Sequence, residues 1–272
     1  MTLVIFICNY NHSQFISETI FSAIRSDLVD TILFTDDGST DDSMLKAKEL
    51  SKQYRQIRIL QDDFGNIGYS ERVNKYVDKL QEFDYILLLD SDDRLIPGGL
   101  QLALRRMEKN NLQVVFGATA LIDEAGTPMG LIDGINAPAF PYPNEIKKCC
   151  LKSIPDQECD HISTTLLNQN WVRTTSNILF SRASLDYIFP IPPVKTNPDW
   201  HIALSLSLSQ HCFYSNIPFS QHRLHGSNVT TSRIEDSKDD SRLIFSNLEK
   251  RFPLQTVHAK LAVATNPYLV QF

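Results

Sequence analysis

An α/β fold built on a mostly parallel sheet is the class the amino-acid sequence predicts, and three observations carry it. Short apolar runs at residues 3–7, 31–35, 57–60 and 85–89 read as buried strands. Segments with helical periodicity separate them, the alternation expected of βαβ units. Three of the four runs end in polar clusters, which an open parallel sheet would bring to one edge.

The elements follow in order. Residues 3–7 run straight into Asn9-Tyr10-Asn11-His12. Ser13 is suited to an N-cap, and Ile16, Ile20 and Ile24 lie four apart on one helical face. The second strand, 31–35, ends at Asp36-Asp37-Gly38-Ser39-Thr40. Ser39, Thr40 or Asp41 can cap a helix on which Met44, Ala47, Leu50 and Tyr54 share a side. Residues 57–60 give a third strand, 69–80 a helix, 85–89 a fourth strand, 98–107 a helix and 114–118 another strand. The rhythm then degrades around Pro138, Pro141 and Pro143 and again around Pro190, Pro192, Pro193 and Pro198. Residues 178–180 read as a strand, 200–208 as a helix, and 237–252 as an amphipathic helix. The expected organisation is one domain over 1–232, with halves at about 1–115 and 116–232, and a helical appendage over 233–272.

At 272 residues, with 42% hydrophobic and 21% charged, the chain can bury a substantial core. A net charge of −6 argues against broad nucleic-acid binding, which needs an excess of Lys and Arg. Five cysteines (Cys8, Cys149, Cys150, Cys159 and Cys212) lack zinc-knuckle spacing and read as reduced thiols. No basic residue precedes the first apolar run, so it reads as a strand and not a signal peptide. No stretch approaches the roughly 18 apolar residues of a membrane span. A cytoplasmic protein is expected, with peripheral association at the inner face of a membrane left open.

The chemistry gathers at the strand ends. Asn9-Tyr10-Asn11, Asp36-Asp37 and Asp90-Ser91-Asp92-Asp93 would converge at one sheet edge. Five acids there repel one another unless a cation sits among them, and oxygen-rich sites of this kind suit Mg²⁺ or Mn²⁺. Neither Gly-x-Gly-x-x-Gly nor a Walker-type Gly-x-x-x-x-Gly-Lys-Ser/Thr occurs, so phosphates would be held through a metal.

Six segments stand out in order. They are Val4-Ile5-Phe6-Ile7-Cys8-Asn9-Tyr10-Asn11, Asp36-Asp37-Gly38-Ser39-Thr40-Asp41, Asn66-x-Gly68 with Arg72, and Leu89-Asp90-Ser91-Asp92-Asp93. Asn197-Pro198-Asp199-Trp200 and His222-Arg223-Leu224-His225-Gly226-Ser227 complete the set. Taken together, they resemble the family 2 glycosyltransferases of the GT-A fold. The resemblance implies a nucleotide-diphosphate sugar donor, most commonly a UDP-sugar, on the first half, and a saccharide or other hydroxyl acceptor on the second. It places Tyr10 against the nucleobase with the Cys8 backbone nearby, and Asp37 on the base or ribose. Arg72 would reach the base or diphosphate, and Asp90, with Ser91 beside it, the ribose or metal-bound water. Asp92 would be the direct metal ligand, with Asp93 its competitor. His225 would approach the metal or diphosphate, Arg223 the phosphates, and the loop carrying both would close over the donor. Asp199 would be the general base of an inverting displacement, with Asp156, Glu158 and Asp160 as the nearest competing acids. Where the family has Glu before this Asp, Pro198 stands here. Ser176 and Asn177 would line the acceptor side.

Two other readings compete. A non-catalytic nucleotide-sugar-binding protein would keep the donor site and lose the base. A phosphatase or phosphotransferase of the haloacid-dehalogenase type would carry its paired acids on the first strand, whereas here they follow the fourth.

Overall fold

Every residue of strand β1 (Leu3–Asn9) is buried, because it is an interior strand of a sheet covered on both faces. Its alternate side chains feed two cores. Leu3, Ile5 and Ile7 pack with Ile16 and Ile20, while Val4, Phe6 and Cys8 pack with Val73, Ile202 and Leu206. The computed structural model describes residues 1–26, 28–132, 157–158, 160–168, 170–228 and 236–252.

After β1 come α1 (Ile16–Ile24), β2 (Thr31–Asp36), α2 (Ser43–Gln53), β3 (Ile57–Leu60), α3 (Tyr69–Lys75), α4 (Val77–Leu80) and β4 (Tyr85–Leu88). The middle of the chain gives β5 (Arg94–Leu95), α5 (Gly99–Asn110), β6 (Val114–Gly117), β7 (Thr119–Ile122) and β8 (Pro128–Ile132). Next are β9 (Gln157–Glu158), α6 (Asp160–Asn168), β10 (Ile178–Ser181), α7 (Leu185–Ile188) and α8 (Pro198–Ser209). The last elements are β11 (Cys212–Ser215), β12 (Ser220–Arg223) and α9 (Asp236–Arg251).

The large sheet has the order β3-β2-β1-β4-β10-β6-β11-β9, and a smaller one has the order β5-β12-β7-β8. Strands β3, β2, β1 and β4 are mutually parallel, β10 runs antiparallel between β4 and β6, and β11 is parallel to β6. The chain order along the sheet reverses at β1, flanked by β2 and β4. The segments leaving β1 and β4 therefore face each other across the crevice where open α/β sheets bind ligands.

Two local expectations meet a different outcome. Ser13 does not cap α1; its amide donates to Asp41 at 2.8 Å, which ties the β1 exit to the β2 exit. The helix expected over 69–80 is two pieces, and the residue at the break, Tyr76, donates its hydroxyl to Asp62 at 2.6 Å. The small sheet, including β12 and the short strands β5 and β8, had no strong periodic signal. Pro138, Pro141 and Pro143, with Cys149, Cys150 and Cys159, lie outside the described residues.

Helix α9 shares the main core. Ile244 and Leu248 are buried there, and Phe245 meets Trp200 edge-on at 5.6 Å between ring centroids. Its Asp240 accepts from the amides of Lys195 and Thr196, at 2.9 and 2.6 Å, just before α8 begins. No helix among the described residues is long and apolar enough to cross a membrane.

Candidate active site

The turn after β1 sets one wall of the site. Asn11 takes a left-handed conformation (φ 55°), stabilised where its amide donates to Ser39 Oγ and its side-chain oxygen accepts from the Thr40 amide, each at 2.8 Å. That turn presents His12, a residue the motif reading passed over, to Ser91, with Nδ1 hydrogen-bonded to the serine hydroxyl at 2.8 Å. His225 arrives from the segment after β12, its Nε2 lying 2.9 Å from Asp92 Oδ2 and its Nδ1 2.8 Å from Ser227 Oγ. His12, Asp92 and His225 thus offer three ligand atoms all within 4.8 Å of one another.

The acids after β4 divide by environment. Asp93 is wholly buried and accepts from Thr174 Oγ1, Ser176 Oγ and the Arg223 amide, at 2.7, 2.7 and 2.9 Å. His222 Nδ1 lies 3.1 Å from it as well. Its carboxylate therefore knits β12 and residues 174–176 to the β4 exit, behind the three-ligand group. Asp90 accepts from the Thr175 hydroxyl at 2.7 Å and lies 2.7 Å from the Thr174 hydroxyl, whose one proton it shares with Asp93. Burial, then the neighbouring charges of Asp93 and Asp92, push its pKa up to about 7. A cation among these groups would relieve that repulsion, so the donor set fits a divalent metal. Burial alone would also raise Asp92, but the hydrogen bond with His225 and the nearby imidazoles bring it down to about 2.

A second wall forms where β2 and β3 end. Asp37 is buried and accepts from the Ile67 and Gly68 amides, at 3.0 and 2.9 Å, and from Arg72 Nε at 3.1 Å. The buried Arg72 guanidinium also binds Asp62 and the Gly65 carbonyl. Burial tends to raise the Asp62 carboxyl, but Arg72 and Tyr76 hold it far below the usual range. Gly38 has φ +80°, and a Cβ there would lie 2.7 Å from the Asn66 amide nitrogen, so only glycine fits this contact. Together these groups border a cavity of about 300 Å³ reached by Asp36, Gly38, Met44, Leu60, Asp62 and Arg72.

Asp199 comes from the other side, in the first turn of α8. It is buried, accepts from Asn170 Nδ2 at 3.0 Å, and has its pKa raised by burial. Tyr69, hydrogen-bonded to Thr175 at 3.3 Å, has its hydroxyl pKa pushed well up by burial, then by the charges of Asp90, Cys8 and Asp199 among others. Asp90 and Asp199 both lie near enough to Tyr69 for their charges to act on its hydroxyl.

The model of glycosyl transferase family 2 matches residues 4–189. The chain belongs to that family. This glycosyltransferase is 31% identical to a chondroitin synthase of Escherichia coli over 138 residues, which cover 50% of this chain and 19% of that protein. An uncharacterised glycosyltransferase of Haemophilus influenzae is 28% identical over 42% of the chain and 35% of its own length. The chain thus spans well under half of either relative. A third Escherichia coli relative, the UDP-Glc:alpha-D-GlcNAc-diphosphoundecaprenol beta-1,3-glucosyltransferase WfgD, is 25% identical over 85% of this chain and 80% of that protein. Staphylococcus aureus TarS 1–349, solved with UDP-GlcNAc, superposes with a TM-score of 0.65 at 18% identity, covering 92% of this chain and 67% of that one. The mannosyltransferase PcManGT of Pyrobaculum calidifontis, solved with GDP-Man and Mn²⁺, gives 0.62 at 11% identity, covering 98% and 71%. The fold is GT-A.

The chain's own contacts engage several motif residues of the glycosyltransferase and leave others open. Arg223, expected at phosphates, is buried, with Nε donating to the Asp92 carbonyl at 2.8 Å and Nη2 paired with Glu18 at 2.5 Å. Its guanidinium lies 4.8 Å over the Phe15 ring. Tyr10 is 46% exposed, so its ring is open to a ligand. The Cys8 thiol is buried, with its pKa raised by burial and then by Asp37, and is not in a disulfide. Ser176 and Asn177 are both buried and flank β12 and the Asp93 network. Among the competing acids, Asp156 lies outside the described residues, as do the side chains of Glu158 and Asp160. Of the expected closing loop, residues 229–233 lie outside them too. Besides His12, the motif reading missed Asp62, Thr174 and Thr175. Asp62-Asp63 follow the third strand with only Gln61 between, which was signal enough to add them to the sheet edge.

Proposed function

We propose that this glycosyltransferase moves a sugar from a nucleoside-diphosphate sugar to a saccharide hydroxyl, with metal assistance and inversion at the anomeric carbon. The observations that carry the reading are the His12, Asp92 and His225 ligand group at the β4 exit and the separate buried carboxylate of Asp199 at the start of α8, with Tyr69 close enough to feel both Asp90 and Asp199. A base on one side and a leaving-group site on the other is what an in-line displacement requires.

The nucleoside lies in the cavity beside Asp37 and Arg72, with Tyr10 against the base. Both Asp37 oxygens already accept from the chain, so this pair acts chiefly as a rigid floor. Asp90 and Ser91 face the ribose and diphosphate. Asp92 and His225 hold Mn²⁺ or Mg²⁺, which when bound would stabilise charge on the departing diphosphate. Asp92 is preferred to Asp93 because the Asp93 oxygens are already engaged by Thr174, Ser176, His222 and the Arg223 amide.

On the acceptor side, Asp199 takes the hydroxyl proton as the acceptor oxygen bonds to the anomeric carbon. The bond from that carbon to the diphosphate oxygen breaks on the opposite face, and the nucleoside diphosphate leaves with the electron pair. Burial raises the Asp199 pKa, which makes the carboxylate a stronger base than an exposed one. The Asn170 amide fixes its orientation, which the missing Glu at position 198 does not supply.

The named activities of chondroitin synthase and WfgD support a saccharide acceptor and a role in polysaccharide assembly. A lipid-linked acceptor such as the one in WfgD's name would bring the protein to a membrane surface. The test is to incubate the protein with UDP- and GDP-sugars and oligosaccharide acceptors, following nucleoside diphosphate release and product configuration by NMR. Acceptor-dependent release with an inverted product is expected. Nucleotide-sugar binding without turnover across the panel would instead favour a non-catalytic binding protein.

A further inference from the structure

We propose that His12 is a third protein ligand, so that His12, Asp92 and His225 form a two-histidine, one-carboxylate site that binds a transition metal before the nucleotide arrives. The inference rests on the metal assistance in the reading above and adds a ligand and a selectivity to it.

Three observations lead there. First, the spacing suits one ion. Ligands at about 2.0–2.2 Å from a shared ion lie roughly 3 Å apart when adjacent and roughly 4 Å apart when opposite, and these three atoms fall within 4.8 Å. Second, each imidazole has its Nδ1 fixed by a serine hydroxyl, His12 by Ser91 and His225 by Ser227, both at 2.8 Å. Such a contact fixes the ring orientation, and the hydroxyl can accept from Nδ1–H once Nε2 binds an ion. In His225 that nitrogen already points at Asp92 Oδ2.

Third, the site is preorganised. The Asn11 turn that delivers His12 is pinned by Ser39 and Thr40, and Arg223 Nε holds the Asp92 carbonyl. Phe15 backs both rings, with centroids 4.7 Å from His225 and 6.1 Å from His12, and the Arg223 guanidinium lies 4.8 Å over the Phe15 ring. The two imidazoles meet edge-on at 5.5 Å. A ligand set held in place before the ion arrives does not need the diphosphate to complete it.

Selectivity follows from the donors. Mg²⁺ prefers oxygen and keeps several waters, whereas imidazole donors favour first-row transition metals, with affinity rising from Mn²⁺ through Co²⁺. The nucleotide-free protein should therefore bind Mn²⁺ or Co²⁺ appreciably and Mg²⁺ much more weakly.

The test is titration of Mn²⁺ and Mg²⁺ into nucleotide-free protein by calorimetry, with pulsed EPR of the Mn²⁺ complex to count coupled imidazole nitrogens. Wild type should show two imidazoles. His12→Ala should show one and bind Mn²⁺ about 10- to 100-fold more weakly. His12→Asn, closer in size and polarity, guards against a folding defect and should behave like His12→Ala, with an unchanged melting temperature in chelator. One coupled imidazole in wild type, or unchanged Mn²⁺ affinity in both variants, overturns the proposal. Mn²⁺ binding only when UDP or GDP is added also overturns it, yet leaves metal-assisted transfer standing. Binding in neither condition would overturn both.

Discussion

The proposed donor edge and the proposed acceptor wall are positioned by different means. On the donor edge, Asp37 and Asp90 sit within two residues of the ends of β2 and β4, so the parallel ladder itself fixes where they point. On the acceptor wall, Asp199 is placed by the first turn of α8 and the Asn170 amide, with Asp240 of α9 holding the segment before it. A ladder sets position through many backbone bonds, whereas the acceptor wall depends on a few side chains. Changes on the acceptor wall should therefore affect rate, and changes in the donor-edge scaffold should affect stability and nucleotide binding.

The largest expected effect is at Asp199. Asp199→Asn should lose about 10²- to 10⁴-fold in transfer while keeping metal-dependent nucleotide affinity, read by product assay and calorimetry on one preparation. Transfer at the parental rate would move the base elsewhere.

Asp93 tests the scaffold from the opposite direction. Removing a wholly buried carboxylate strands its donors, so Asp93→Ala should cost about 3 kcal/mol in urea unfolding. A change below about 1 kcal/mol would show that the network is not structural.

Gly38→Ala should cost about 2 kcal/mol, since it adds a Cβ against the Asn66 amide at a positive φ. It should also weaken nucleotide binding, because the displaced 65–66 backbone borders the cavity. Lost stability with unchanged nucleotide affinity would place the nucleoside elsewhere.

His201, one turn into α8, gives a pH signature to the acceptor side. Burial lowers its pKa to about 4, and its Nε2 lies 3.1 Å from the Ile188 carbonyl. In the unfolded chain the value is about 6.5. The unfolded state therefore binds more protons between those values, and stability falls as pH drops through that window. The loss should reach about 2 kcal/mol at pH 5 relative to neutral pH. His201→Gln should flatten it, as read by thermal melts from pH 7 to 5. The same slope in the variant would assign the acid sensitivity to other groups.

The same contrast explains what the sequence made legible. Strands 3–7, 31–35 and 85–89 with their trailing acids could be read because a buried parallel strand is a continuous apolar run and its exit is local in sequence. Residues such as Thr174 and Thr175 carry no periodic signal, and only the antiparallel insertion of β10 beside β4 brings them to Asp90. His12 was visible as a residue, but its relation to His225 depends on β12 joining a second sheet. Arg223 and Asp93 were identified by motif, yet their hydrogen bonds show how thoroughly the chain itself occupies both side chains.

The central claim, that a metal at Asp92 couples the donor diphosphate to this site, is tested most directly by titrating UDP and GDP into wild type and Asp92→Asn, in Mn²⁺ and in chelator. Wild type should bind one of the two at least about tenfold more tightly in Mn²⁺, a gain of about 1.4 kcal/mol, and Asp92→Asn should lose that gain with its melting temperature in chelator little changed. Equal affinity of wild type in metal and in chelator, for both nucleotides, would contradict the account.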